Sequence, residues 1–485
     1  MILRGRWVVP INSPSIERGA VVVDHDKIRD VGPAATIEQH YPTHEVRDFP
    51  SAAIMPGFVN VHTHLELTVL RGYLEGLPFW QWIQKLTRTK YQILTYEDLA
   101  VSALLGAVEA IRSGITTVAD AMDLSATLDA ALVSGLRGIL YQECFSPKPQ
   151  EAEQVLRGLK KRITALNDRI RNWPVESPLW EVTARPRLSS SEDWAGRRLR
   201  LRLGLSPHSP YTVSAPLFRR VKEYSDAEQL PLCIHAAESA AESALLERGT
   251  GPIIQSYQTR GIEWTPPHCS PIRYLNDLGV VHESTLLVHC VRVDDGDFEI
   301  IKSKNAGVAH CPKSNWKLGH GCMDLRNMRQ RMIRVGLGSD SVASNNSMDF
   351  FDEIRFALFS PSWCPSQATD SLTETSIERF SADDGLRMAT LGGADSLGMS
   401  RTIGSIEIGK QADLIAVDLS QPHVLPVFAP TTALVYSARA SDVTMTMIGG
   451  EIVFDGGRVR GINEKMLCER IERIREKILN ASCQN

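Results

Sequence analysis

The chain has 485 residues, 43% of them hydrophobic, enough to bury a large core in two or three domains or in one long barrel. A formal net charge of -4 and a pI near 6.4 leave no electrostatic footprint for nucleic acid. No apolar stretch is long enough to span a membrane, and the short polar opening Met1–Trp7 gives the expectation that there is no secretory leader.

Residues 1 to about 55 read as short strands and turns, with Gly19–Asp24 and Lys27–Gly32 as neighbours in a small sheet. The same texture returns in Ala412–Asp418, Val443–Gly450 and Glu451–Phe454. The expectation is one composite β-domain, a small β-sandwich, built from residues 1–55 and 403–460. A charged amphipathic helix follows within 461–485.

Between the ends, residues 56–402 alternate strand-like apolar runs with helical patterns, as βα units around a parallel sheet do. Eight runs end near His64, Asp120, Glu143, His208, His235, His289, His310 and Asp340. The fold class expected is α/β, a (β/α)8 barrel, whose chemistry belongs at the C-terminal strand ends. One stretch breaks the rhythm. Glu151–Asn172 reads as a helix, and Thr183–Arg198 as an extended surface loop. Nine cysteines, scattered with no C-x-x-C pair, suit a reduced cytoplasmic protein better than a disulfide framework.

His62 and His64, at i and i+2 on the first run, point to one face. Alone, such a pair is weak, because most histidines bind no metal. His235 and Asp340 close two later runs, and three imidazoles with one carboxylate suit a single divalent ion with an open position. Zn²⁺ is the first choice and Fe²⁺ the second. Glu238, three residues after His235, is placed to carry protons. Its plainer reading is a first-turn acid favoured by the helix dipole, and Glu242 is its rival one turn on. His289 reads as a further ligand or as a group orienting the attacking water. His208 and His310 close two more runs, and either can touch substrate or brace the site; His310 leans structural. Phe79, Trp80, Trp82 and Trp316 are candidates for a pocket wall or for plain packing.

Several signatures are absent. There is no H-E-x-x-H, and no H-x-E with P-C-x-x-C. Gly404–Gln411 approaches a phosphate-binding loop but lacks Ser or Thr after Lys410.

The segments Pro56–His64, His235–Glu238, Val288–Cys290, His310–Asn315, Gly338–Ser341 and Gly409–Leu414 together resemble the amidohydrolase superfamily, in its deaminase and chlorohydrolase branch. The resemblance implies a distorted barrel with a β-domain from both chain ends. It implies metal ligation by His62, His64, His235 and Asp340, proton shuttling by Glu238, and His289 beside the attacking hydroxide. Asp340 also acts in catalysis under this reading. Ser206–Ser214 resembles the S-adenosylhomocysteine/methylthioadenosine deaminases and the aminofutalosine deaminases, which implies that His208 contacts substrate. Leu65–Glu66 stands where adenosine-type members carry Met-Pro, and Trp82–Arg88 offers no glutamate for a ribose diol. The form His64-Leu65-Glu66-Leu67 looks closer to the aminofutalosine deaminases, and Glu66 and Trp82 are the other expected substrate contacts.

The function implied is metal-dependent hydrolytic deamination of an aminopurine nucleoside or related amino-heterocycle, releasing ammonia. The alternatives are an s-triazine chlorohydrolase or aminohydrolase, and a catalytically silent barrel. The expected partner is a small-molecule substrate, with no nucleic acid and no membrane, in a homo-oligomer.

Overall fold

The structure is a computed structural model and describes residues 1–173, 177–183, 191–363 and 380–483. Five strands open the chain: β1 (Ile2–Val8), β2 (Ile16–Glu17), β3 (Gly19–Asp24), β4 (Lys27–Pro33) and β5 (Val46–Pro56). Eight follow: β6 (Phe58–Thr63), β7 (Ile115–Met122), β8 (Arg137–Cys144), β9 (Leu201–Pro207), β10 (Leu232–Ala236), β11 (Thr285–His289), β12 (Gly307–His310) and β13 (Arg334–Leu337). Four more come last: β14 (Leu414–Asp418), β15 (Val443–Ile448), β16 (Glu451–Asp455) and β17 (Arg458–Val459).

Strands β6 to β13 form one parallel sheet whose spatial order is the order of the chain. They are buried on both faces, which is why they read as unbroken apolar runs rather than as alternation. The sheet closes on itself. Thr63 bridges Asp340, and the Asp340 amide donates to the His62 carbonyl at 2.9 Å. Inside, Val59, Ile139, Tyr141, Leu286 and Val288 pack against Ala394, Leu397, Met399 and Ile403. That packing fills the barrel interior from the segment that follows the last βα unit. The polar strand ends lie beyond it.

The two chain ends pair as expected. The order is β17-β16-β15-β14-β5-β1-β3-β4, with β2 on β1. Strand β5 is the seam, parallel to β1 and antiparallel to β14. The path is continuous, but Leu3 and Val21 from one half share a core with Leu414, Met445 and Met447 from the other. The sheet therefore curls until its halves face each other, and the Ile28 amide donates to Lys410 O at 2.9 Å. Gly450 is required at this closure. Its φ is +75°, and a Cβ there would stand 1.8 Å from the His25 carbonyl oxygen.

Sheet and barrel are joined by a buried ion pair. Arg137 Nε on β8 donates to Asp413 Oδ2 at 2.6 Å, and its Nη2 reaches Oδ1 at 3.0 Å. The C-terminal helix Glu464–Cys483 lies against helix Tyr96–Arg112, tied by Lys477 to Asp98 at 2.6 Å and Arg112 to Glu464 at 2.8 Å.

Two expectations are corrected. The stretch Thr183–Arg198 is not extended throughout, because Ser191–Leu199 is helical; residues 184–190 lie outside the described residues. Arg197 is buried there, pairing with Glu451 and donating to the Leu132 carbonyl at 3.3 Å. This tertiary docking orders a segment that reads as a polar loop. The second concerns the cysteines. Cys144, Cys233, Cys269, Cys290, Cys311 and Cys468 are free thiols, but Cys322 is disulfide-bonded. Among the described residues, no helix is long and apolar enough to cross a membrane.

Candidate metal centre and catalytic site

The closing strands β6 and β13 bring together the ends of the barrel sequence. His62 is the penultimate residue of β6, and His64 lies just past its end. Their ring centroids are 4.8 Å apart, and the His235 ring from β10 stands 4.8 Å from His62 and 5.6 Å from His64. His64 Nδ1 lies 2.8 Å from the Ala121 carbonyl oxygen, and His235 Nδ1 3.1 Å from that of His208. A carbonyl only accepts, so each Nδ1 carries the proton and each Nε2 turns a lone pair inward. His62 is fully buried, and neither ring nitrogen makes a hydrogen bond. Burial lowers the proton affinity of all three imidazoles, that of His64 to about 3. They stand neutral at pH 7, the form a cation needs.

Asp340 completes the set. Its Oδ1 lies 3.4 Å from His62 Nε2 and 3.6 Å from His64 Nε2. Four donors with bonds near 2.1 Å would be spaced about 3.4 Å apart at the corners of a tetrahedron. The other oxygen, Oδ2, accepts from the hydroxyls of Ser314 and Ser344, the latter at 2.9 Å. Burial alone would push this carboxyl up, but the His62 contact and the neighbouring imidazoles hold it well below the usual range. The orphaned His62 ring, the inward lone pairs and the ionised Asp340 fit a divalent cation. Three strand ends also carry backbone strain: Ala237, His289 and Asp340 have φ of +53°, +74° and +55°. Such left-handed conformations in non-glycine residues cluster at functional sites.

The proton-carrying candidates sit beside this centre. Glu238 Oε1 is 3.6 Å from His289 Nε2 and 3.3 Å from His320 Nε2. Burial opposes its ionisation, but His289 and His320 prevail and draw its pKa down to about 2. His289 Nδ1 donates to Asn315 Oδ1 at 2.8 Å, which turns Nε2 toward Glu238. The rival Glu242 faces away. Its carboxylate accepts from the amides of Ala237 (3.0 Å) and Glu238 (2.8 Å), bracing the turn that presents Glu238. Burial pushes Glu242 up to about 8.

These groups border a cavity of about 480 Å³. One end holds His64, His235, Glu238, His289 and Asp340. Helix Phe79–Gln92 supplies an apolar wall of Phe79, Trp80, Trp82, Ile83 and Leu86. His208, just past β9, borders the cavity and stacks on His235 at 4.6 Å. Glu66 is elsewhere. It is 1% exposed, lies 2.6 Å from Lys90 Nζ, and does not line the cavity, whereas Lys90 does. Trp316 is half-exposed and outside it. His310 is buried behind the strand ends, neither nitrogen hydrogen-bonded, and burial lowers it to about 3. The sequence pattern assigns no role to His320, Lys90 or Glu143. Only Glu143 carried a signal, as a carboxylate closing a strand.

The sequence profile of the amidohydrolase family matches residues 53–453, and that of an imidazolonepropionase-like composite domain of bacteria matches residues 19–43. A 5-methylthioadenosine/S-adenosylhomocysteine deaminase of Moorella thermoacetica is 29% identical, over 97% of this chain and 98% of its own. The crystal structure of an adenosine deaminase from Xanthomonas campestris with bound zinc superposes with a TM-score of 0.80 at 26% identity, covering 99% of this chain and 98% of that one. The zinc complex of an atrazine chlorohydrolase from Arthrobacter aurescens gives a TM-score of 0.78 at 19% identity, covering 98% and 99%, and shares the fold. The chain belongs to the amidohydrolase family.

Proposed function

We propose that this protein is a zinc-dependent deaminase that hydrolyses the exocyclic C–N bond of an aminopurine nucleoside or a related amino-heterocycle and releases ammonia. The observation that carries the reading is the clustering of His62, His64, His235 and Asp340 at a cavity that His64, His235, Asp340, Glu238 and His289 line. A divalent ion held by the first four residues would supply a water acidic enough to ionise near neutral pH. Glu238, ionised at that pH, takes a proton and delivers it to a ring nitrogen of the substrate. His289, fixed by Asn315, orients toward the same point and polarises the reacting group. Asp340, besides ligation, assists proton movement toward the leaving amine. The aromatic helix wall excludes water and packs a flat heterocycle.

Zinc is favoured over iron because three imidazoles and one carboxylate are a common zinc donor set, and the deaminase from Xanthomonas campestris with bound zinc adds support. Dechlorination of an s-triazine would use the same residues, and the apolar wall leaves room for that second reading. A silent barrel would not be expected to keep the whole ligand set beside Glu238. The test is a panel assay on zinc-replete protein. Ammonia from adenosine-type nucleosides supports the proposal; chloride from triazines with no ammonia from any purine overturns it. We also propose a cytoplasmic homo-oligomer. The exposed side chains of Phe428, Leu425 and Tyr436 support self-association, which light scattering would detect.

A further inference from the structure

Glu143 is the penultimate residue of β8, and 3% of its surface is exposed. Its Oε1 is buried and has no hydrogen-bond partner. A buried acceptor in that state is costly, and native structures provide such groups with a donor. The neighbours do not supply one. His208 Nε2 stands 4.0 Å from this oxygen, beyond hydrogen-bonding distance. His208 Nδ1 is engaged with Thr212 Oγ1 at 2.9 Å and Ser209 Oγ at 3.1 Å, which fixes the ring. The ammonium of Lys90 is turned to Glu66 at 2.6 Å and Asp123 at 3.5 Å. Glu143 and His208 both line the cavity, and their donor atoms lie within 4.8 Å of His235. His235 is committed to the centre it shares with His62 and His64, so Glu143 and His208 alone are too few to hold a second cation.

We propose that Glu143 is a specificity-determining residue: its carboxyl group, flanked by His208, accepts a hydrogen bond from an N–H or O–H donor that the substrate carries away from the reacting carbon. The inference rests on the deaminase reading and narrows its substrate class. The preferred amino-heterocycle carries such a donor within reach of Glu143.

The test compares substrates that differ by a single donor: adenosine against its 2′-, 3′- and 5′-deoxy forms, and adenine against 9-methyladenine. The parent should prefer one donor-bearing member by ~100-fold or more in kcat/KM, since a site built for a donor leaves its acceptor unpaired without one. Glu143→Met, which fills similar volume without an acceptor, should shrink that ratio to within ~5-fold. Glu143→Gln, which keeps an acceptor oxygen, should retain most of it. An unchanged ratio in Glu143→Met overturns the proposal, and if that variant does not fold, equal kcat/KM across each pair in the parent does so. If the parent releases no ammonia from any compound, the deaminase reading fails on its own. Calorimetry in a Glu238→Gln background then decides: tighter binding of one donor-bearing member, lost on adding Glu143→Met, supports the role, and equal affinities overturn it. Two metal ions per chain in the parent and one in Glu143→Met would overturn it by making Glu143 a ligand.

Discussion

Replacing Glu238 by Gln isolates the proton-carrying step. The amide matches the carboxylate in volume and keeps one oxygen for the two imidazoles that flank it, His289 at 3.6 Å and His320 at 3.3 Å. It cannot take up or give a proton. A positioned general acid–base group contributes about 10²–10⁴ in rate, and at about 1.4 kcal/mol per decade its loss raises the barrier by roughly 3–5.5 kcal/mol. The loss should fall on kcat, with KM changed by less than about threefold, because an interaction made only in the transition state is what disappears. His289 and His320 hold Glu238 below the usual carboxylate range, the ionised form a proton acceptor needs. The assay is steady-state ammonia release by zinc-replete parent and variant, with metal content measured on the same samples. A Glu238→Gln protein with full metal and kcat within about threefold of the parent would refute the shuttle assignment.

Three further outcomes follow from other contacts. Asn315→Leu frees His289 Nδ1 from its 2.8 Å partner, and should lower kcat by about 10–100-fold without removing metal; an unchanged kcat would show that the ring needs no such anchor. Asp413→Ala leaves the buried Arg137 guanidinium without its carboxylate, held only by Gln411 Oε1 at 2.8 Å, and should cost about 3–5 kcal/mol in denaturant unfolding; a loss under about 1 kcal/mol would contradict a joining role. His310 binds a proton at about 3 when folded, against about 6.5 in an unfolded chain. The stability it permits is therefore complete above pH 6.5 and is lost as pH falls from 6.5 toward 3. In His310→Leu, the slope of unfolding free energy between pH 4 and 6 should drop by about 1.4 kcal/mol per pH unit, and an unchanged slope would contradict a neutral buried imidazole.

The strand-end residues were legible because parallel strands buried on both faces leave a plain mark: a short apolar run that stops at an ionisable group. His62, His64, His235, His289 and Asp340 all stood at such stops. The closure that makes them a centre was not local. It depends on Thr63 meeting Asp340 across the barrel seam. Glu66 shows the same limit. Beside His64 it suggests a substrate contact, yet Lys90, on a helix well downstream, pairs with it at 2.6 Å and borders the cavity itself. His320 lies between two glycines, outside any strand or helix, where no periodicity marks a side chain aimed at Glu238. The helix Ser191–Leu199 was hidden because its charge suggests solvent, while Arg197 is in fact buried on Glu451.

The most direct measurement of the central assignment is elemental analysis joined to X-ray absorption at the metal edge, on parent protein and on His235→Ala. The parent should hold one zinc per chain, with three imidazole nitrogens and one carboxylate oxygen at about 2.0–2.2 Å. His235→Ala should lose metal and ammonia release together. Full turnover by metal-free parent, or a His235→Ala protein that keeps both its zinc and its activity, would contradict the account.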